Sequence, residues 1–267
     1  MTILPNAVAA EETGPVAAVE YGSITGRIIL EGTAPTLSQL VADSATAPTN
    51  GVCIAGTIPN EKLIVGSGNG IRDVFIFMPR APKGGKKLAD LPAEEMQDVT
   101  MNNKNCTFLP HAMLVKTTQV LHIINSDGVP HNVKANTAAG KSQNATVSPN
   151  DTTGDVKFTY LVGETRPVQI ECNFHAWMKA WHLPLSHPYG ACSDADGNFT
   201  IKDLPVGSHN FVLFHEGVKI LDQKITVAKE GNAPIEIRIP VGDLKVAHAQ
   251  PKTFKRVVLS SIPGFVP

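Results

Sequence analysis

The chain has 267 residues, a formal net charge of -1 and 42% hydrophobic residues. This length suits two modest domains or one large β domain. No basic run is long enough to coat a phosphate backbone, which argues against nucleic acid as a partner, and no uninterrupted apolar stretch is long enough to span a bilayer.

Glycine (22) and proline (20) recur between short β-branched runs, a texture that favours an all-β fold over helices. In chain order, residues 1–19 are rich in Ala and Glu without a period and are expected to form a disordered tail. Ala7-Val8-Ala9 ahead of Ala10-Glu11-Glu12 has the small-x-small form of a signal cleavage site, although the basic n-region and most of the apolar core are missing. It is read as the remnant of an export signal, which places the protein in the periplasm or outside the cell. Tyr21 to Leu30 alternates and predicts a strand; residues 31–60 predict mostly loop. Lys62–Val65 and Asp73–Met78 predict strands around the Gly66 to Gly70 turn. That turn has neither G-x-G-x-x-G spacing nor a following helix, which argues against a nucleotide loop. Residues 79–96 form a basic, Pro-bounded connector with a short helix predicted at Ala93 to Gln97. Residues 20–95 are taken together as an N-terminal β segment.

A domain of compact strands is expected over residues 96–187. Its strands are predicted at Val99–Met101, Cys106–Phe108, Ala112–Lys116, Gln119–Ile124, His131–Lys134, Asp155–Tyr160, Val168–Cys172 and Met178–Leu185. Strands at this spacing suggest a sandwich or barrel. Residues 188–246 form a third unit. Ser193 to Gly207 reads as strand–turn–strand, followed by strands at Asn210–Phe214, Ile220–Val227 and Ile235–Ile239. Asp194-Ala-Asp196-Gly197 opens like a calcium loop but lacks the third acidic position and the distant Glu, so a β-turn is expected. Residues 247–267 read as an extended tail.

The chemistry concentrates in two segments. One is Cys172-Asn-Phe-His175-Ala-Trp-Met178; the other is Asn125-Ser-Asp-Gly-Val-Pro-His131-Asn132. Each residue alone reads as core or surface. Together, bounded by predicted strands and turns, they offer one thiolate, two imidazoles and one thioether. Soft sulfur selects copper, and two His with one Cys in a plane beside a long axial Met describe an electron-transfer site. Zinc accepts Cys and His, but Met is a poor zinc ligand and the fourth position would need water or a carboxylate. There is no C-x-x-C-H haem motif and no G-x-S-x-G elbow. Cys53 and Cys106 lie in similar contexts beside apolar strands, and export permits a disulfide between them. Cys192 is then left as a buried, inert thiol, although sequence alone leaves the connectivity open. His111, His182 and His187 are material for a second metal, but each taken singly reads as packed or capping a turn. Trp177 and Trp181 read as core or rim.

Residues 96 to 186 resemble the cupredoxins, the blue copper proteins. The resemblance runs through Ala112-Met-Leu-Val-Lys116, Gln119 to Val133 and the C-x2-H-x2-M loop, which is similar to that of amicyanin. It implies His131, Cys172, His175 and Met178 as ligands of one copper, and an Asn132 side chain that ties the two ligand loops together. Thr117-Thr118 departs from the family's Gly-acidic turn, Asn173-Phe174 replaces a residue-Pro pair, and Trp177 is bulky. Gly22-Ser-Ile-Thr-Gly-Arg-Ile28 and Ser193 to Gly207 are similar to carboxypeptidase-regulatory-like β-sandwich modules. They flank the copper segment, so the expected architecture is an all-β, Greek-key cupredoxin sandwich joined to, or inserted in, that second sandwich. The whole-chain texture, including Cys106 to His111 and His187-Pro-Tyr189, resembles exported cupredoxin-like proteins of planctomycete type.

The expectation is an exported type 1 copper protein that carries single electrons to or from a redox protein docking near a ligand His. The alternative is a cell-surface binding or scaffold protein with a structural or storage copper, whose sandwich meets carbohydrate or another protein. A copper enzyme would need a second metal or an open coordination position.

Overall fold

The computed structural model describes residues 18–40, 52–53, 58–218 and 220–246. Of the tail expected at 1–19 all but residues 18 and 19 lies outside the described residues, as do the tail expected at 247–267 and, within the loop expected at 31–60, residues 41–51 and 54–57. The described chain is all-β. Its strands are β1 (Tyr21–Glu31), β2 (Phe75–Phe77), β3 (Val99–Lys104), β4 (Thr107–Leu109), β5 (Ala112–Lys116), β6 (Val120–Asn125), β7 (His131–Ala135) and β8 (Gln143–Val147). They continue with β9 (Val156–Thr159), β10 (Val168–Glu171), β11 (Lys179–Leu185), β12 (Gly190–Cys192), β13 (Asn198–Pro205), β14 (Gly207–Phe214), β15 (Leu221–Val227) and β16 (Ile235–Pro240). No described helix is long and apolar enough to cross a membrane.

The strands form four sheets, ordered β13-β1-β16, β12-β2-β14-β15, β5-β11-β10-β7-β8 and β4-β3-β6-β9. β1 pairs with β13 and β16, and β2 pairs with β12 and β14. The strands before β3 therefore pair with the strands after β11, and the β3–β11 stretch forms its own two sheets. One core holds Met101, Phe108, Leu121, Ile123, Val133, Ile170 and Ala180. Another holds Ile24, Ile28, Ile76, Phe211, Leu213 and Ile239.

A third cluster joins the two pairs of sheets. Successive side chains of a strand point to opposite faces. Met113 and Val115 of β5 and Ala180 of β11 enter the first core, while Ala112 of β5 and Leu183 and Leu185 of β11 face the other way. There they meet Phe75 and Phe77 of β2, with Val212 and Phe214 of β14 packed alongside. Sheets covered on both faces read as near-continuous apolar runs, and Phe75-Ile76-Phe77 is wholly buried. Gly190 sits at this contact because a Cβ there would lie 2.6 Å from Leu185 Cδ1, 3.0 Å from Leu114 Cδ1 and 3.1 Å from Phe77 Cβ.

The structure corrects several expected elements. Lys62–Val65 is not a strand; only Val65 bridges, to Ile71. The helix expected at Ala93 to Gln97 is one 3₁₀ turn, Ala93–Met96, started after Pro92. Ser193 to Gly207 holds one strand, β13, after a turn in which Asp194 Oδ1 accepts the N–H of Asp196 and Asn198. β8 and β12 had no sequence expectation. β8 reads Gln-Asn-Ala-Thr-Val, and its short polar edge carries little apolar alternation.

Phe77 is fully buried at the contact between the sheet pairs. Phe77→Ala is expected to cost about 3–5 kcal/mol, measured as a lower urea midpoint at unchanged slope.

Candidate metal centre

Three neighbouring strands deliver the donors to one end of a sheet. β10 lies between β7 and β11, antiparallel to both. The start of β7, the end of β10 and the start of β11 therefore coincide. His131 opens β7, Cys172 follows β10, and Met178 precedes β11. The loop between closes on itself: the Met178 N–H donates to the His175 carbonyl at 2.9 Å, and the Cys172 N–H donates to the Met178 carbonyl at 3.3 Å. His131, Cys172, His175 and Met178 are all buried.

His131 Nδ1 lies 3.0 Å from His175 Nδ1, and Cys172 Sγ lies 3.7 Å from His175 Nδ1. Donor atoms of these three residues all fall within 4.8 Å of one another. Nitrogen at about 2.0 Å and thiolate sulfur at about 2.3 Å from a shared ion place neighbouring donors roughly 3.0–3.7 Å apart. The observed edges match that span. Three buried lone-pair donors turned towards one point repel unless a cation or proton lies among them, so the donor set fits a soft transition metal. Met178 is buried in the same core.

Asp127 fixes the orientation of His131. Its Oδ2 lies 2.9 Å from His131 Nε2 and also accepts the Cys106 N–H at 2.8 Å; its Oδ1 accepts the Asn105 N–H at 2.7 Å. Burial raises the Asp127 pKa, but these donors outweigh it and hold the carboxyl below its ordinary range. A carboxylate on Nε2 puts the ring proton there and leaves Nδ1 as the free donor. Burial works against protonation of His131, while Asp127 and Cys172 raise its pKa above the ordinary value. Burial likewise pushes the Cys172 thiol up, but His131, His175 and the backbone N–H groups of Asn132 and Phe174 bring it down to about 6.

The Asn132 N–H meets Cys172 Sγ at 3.3 Å. The Asn132 Oδ1 accepts the Asn173 N–H at 3.2 Å, and its Nδ2 donates to Asn144 Oδ1 and the Ala145 carbonyl. The Trp177 ring lies against His175 with centroids 5.1 Å apart, and its Nε1–H donates to the Cys106 carbonyl at 3.1 Å. Cys106 is bonded to Cys53 in a disulfide. Its backbone thus touches both imidazoles, His131 through Asp127 and His175 through Trp177. Sequence reasoning missed Asp127. The available signal was an acid four residues before His131, inside a segment already singled out.

The three extra histidines do not come together. His111 Nε2 lies 2.6 Å from Glu216 Oε1, and its Nδ1 lies 3.4 Å from Glu61 Oε2. His182 Nδ1 lies 2.8 Å from the Tyr160 hydroxyl, and His187 Nδ1 accepts the Tyr189 N–H at 3.2 Å. Among the described residues, none of the three joins a group of metal-compatible donors. Burial pushes the Cys192 thiol well up.

No family profile matches the chain, and no curated protein sequence matches it. Among solved structures, it is similar to a copper-containing nitrite reductase from Thermus scotoductus SA-01, at 13% identity over 33% of this chain and 22% of the reductase, with a TM-score of 0.29. It is also similar to a purple cupredoxin from Nitrosopumilus maritimus, at 19% identity over 33% of this chain and 100% of that one, with a TM-score of 0.26. A third is amicyanin from Paracoccus versutus, at 14% identity over 43% of this chain and 99% of that one, with a TM-score of 0.26. These likenesses are slight, so the donor geometry carries the functional argument.

Two titrations test this electrostatic picture. In metal-free protein, the ultraviolet thiolate absorbance of Cys172 is expected to rise through pH about 6 and to vanish in Cys172→Ser. Burial of His111 favours loss of its proton, but Glu216 and Glu61 outweigh that and push its pKa up from 6.5 to about 9. A raised folded pKa contributes stability that is complete below 6.5 and lost as pH climbs through 9. The stability advantage of the native protein over His111→Gln is therefore expected to shrink by a few kcal/mol across that window, at about 1.4 kcal/mol for each pH step of one, measured by denaturation at a series of pH values.

Proposed function

We propose that the chain binds one copper ion through His131, Cys172, His175 and Met178 and carries single electrons between redox partners. One observation carries this reading: two imidazole nitrogens and a thiol sulfur, from the start of β7 and the loop between β10 and β11, face one another at 3.0 and 3.7 Å in a buried setting. Copper, when bound, supplies a one-electron couple whose two states both accept a trigonal His₂Cys set. The chain's own groups do the rest. Asp127 holds the ring proton of His131 on Nε2. The Asn132 N–H donates to the thiolate and moderates its charge. Trp177 and the core exclude water from the donors. Export to an oxidising compartment is part of the proposal, supported by the disulfide. So is the reading of β1, β2 and β12–β16 as one carboxypeptidase-regulatory-like sandwich interrupted by a cupredoxin domain over 96–187, supported by the pairing of β1 with β13 and β16.

One observation favours the second reading, a scaffold with a stored or structural copper. His175 is only 5% exposed and lies under Trp177, so neither ring offers an open edge to a partner. Reversible voltammetry separates the two. A carrier cycles rapidly without losing metal; a storage site gives slow or irreversible waves.

Copper(II) added to the purified protein is expected to give an intense thiolate-to-copper visible band at one equivalent, absent in Cys172→Ser. A colourless product with weak affinity refutes the proposal. Asp127→Asn is expected to weaken copper binding by about 10–100-fold, measured by competition with a chelator.

A further inference from the structure

A second set of donors lies on the other side of His131. Cys106 Sγ, an Asp127 carboxylate oxygen and a His131 ring nitrogen fall within 4.8 Å of one another, and all three residues are buried. The Cys53 sulfur is not part of that group, but it is bonded to the Cys106 sulfur, with the two Cα atoms 5.5 Å apart, and so lies one bond away from it. Cys53 is buried in the same core. While the disulfide is intact, neither sulfur is a thiolate, so the set is incomplete.

We propose that reduction of the Cys53–Cys106 disulfide completes a second metal site, formed by Cys53, Cys106, Asp127 and His131, for a thiophilic divalent cation of the zinc type. The first step is thiol–disulfide exchange. A dithiol gives two electrons and two protons to the sulfur–sulfur bond, Cys53 and Cys106 become thiols, and the dithiol closes to its own cyclic disulfide. The ion then displaces the two thiol protons to solvent as it binds both sulfurs. Two thiolates, one carboxylate and one imidazole make the closed four-donor set that zinc takes in structural sites. Met178 takes no part, so this site selects by thiolate and carboxylate, whereas the first selects by thioether.

Asp127 faces Nε2 of His131, while Nδ1 faces His175. A neutral imidazole has one free donor nitrogen. Engaging Nε2 in the second set moves the proton to Nδ1 and takes His131 out of the first set. The two sites therefore compete for one ring. This competition rests on the copper reading; the second site itself does not.

Cys172→Ser removes the thiolate of the first set and isolates the second. Cobalt(II) serves as the coloured stand-in for zinc. After reduction by a phosphine, which is then removed, the variant is expected to bind one equivalent of cobalt with a thiolate-to-cobalt charge-transfer band. Zinc should bleach that band, the unreduced protein should lack it, and reoxidation should abolish it. Adding Asp127→Asn is expected to weaken cobalt binding at least tenfold. A reduced protein without the band overturns the proposal. So does a band that ignores the Asp127 change, or one that appears only with loss of the near-ultraviolet circular dichroism of the folded state. Because Cys172 is absent throughout, failure here leaves the copper reading untouched, and failure of copper loading in the native protein leaves this site untouched.

Discussion

A carboxylate taken out of water keeps its charge only when its oxygens are met by donors. Asp127 meets that condition with the N–H groups of Asn105 and Cys106 and the ring N–H of His131. The two backbone donors cannot turn away, because Asn105 and Cys106 form the β3–β4 turn with positive φ at both residues, 53° and 55°. The carboxylate is therefore fixed in place, and the His131 proton with it. Everything about the first donor set follows from that proton. Were it on Nδ1, the ring would present a donor N–H to His175 where the geometry calls for a lone pair.

The surrounding sheets hold this local arrangement steady. Sites are precise when the elements bearing them are locked by packing on the sides away from the site. β11 has one face in the first core and the other against Phe75 and Phe77 of β2, so the strand that follows Met178 is clamped between two layers. β7 is paired on both edges, by β8 and β10. The strand ends that present His131, Cys172 and Met178 are thus fixed by contacts far from these side chains, and the outer sheets act on the donor cluster only indirectly.

Much of this was legible in the sequence, for identifiable reasons. The strands of the central stretch announced themselves through alternation, as in Gln119-Val-Leu-His-Ile-Ile124, where Leu121 and Ile123 are the buried face. The nearness of Cys172 and His175 was legible because Cys and His at tight spacing after a β-branched run have few bland explanations. β8 was not, since its two inward apolar residues, Ala145 and Val147, are too few among Gln, Asn and Thr to stand out as a period. Lys62–Val65 misled in the opposite direction: its apolar residues pack beneath the second core as a loop, without a strand partner beyond one bridge. Thr118 shows where a sequence rule yields to context. It holds φ at 78°, a conformation natural to glycine, and its backbone N–H donates to the Tyr160 carbonyl. Asp127 and the Cys106 backbone were out of reach for another reason. Hydrogen bonds that join distant segments leave no periodic trace.

The same contacts restrain the Cys172–Met178 loop, which contains no proline. A proline would fix one φ of the loop and lower its freedom before any ion arrives. Asn173-Phe174 offers no such restraint, and Phe174 is half exposed. The restraint comes instead from outside the loop. Asn132 Oδ1 holds the Asn173 N–H, and the His175 carbonyl holds the Met178 N–H. The Cys106 carbonyl holds the Trp177 indole, whose ring lies on His175. The bulk of Trp177 is therefore a means of anchoring. It replaces a backbone constraint by a side-chain tether, which ends on the backbone carbonyl of the disulfide-bonded Cys106. The loop is thereby joined, through one carbonyl oxygen, to the turn between β3 and β4.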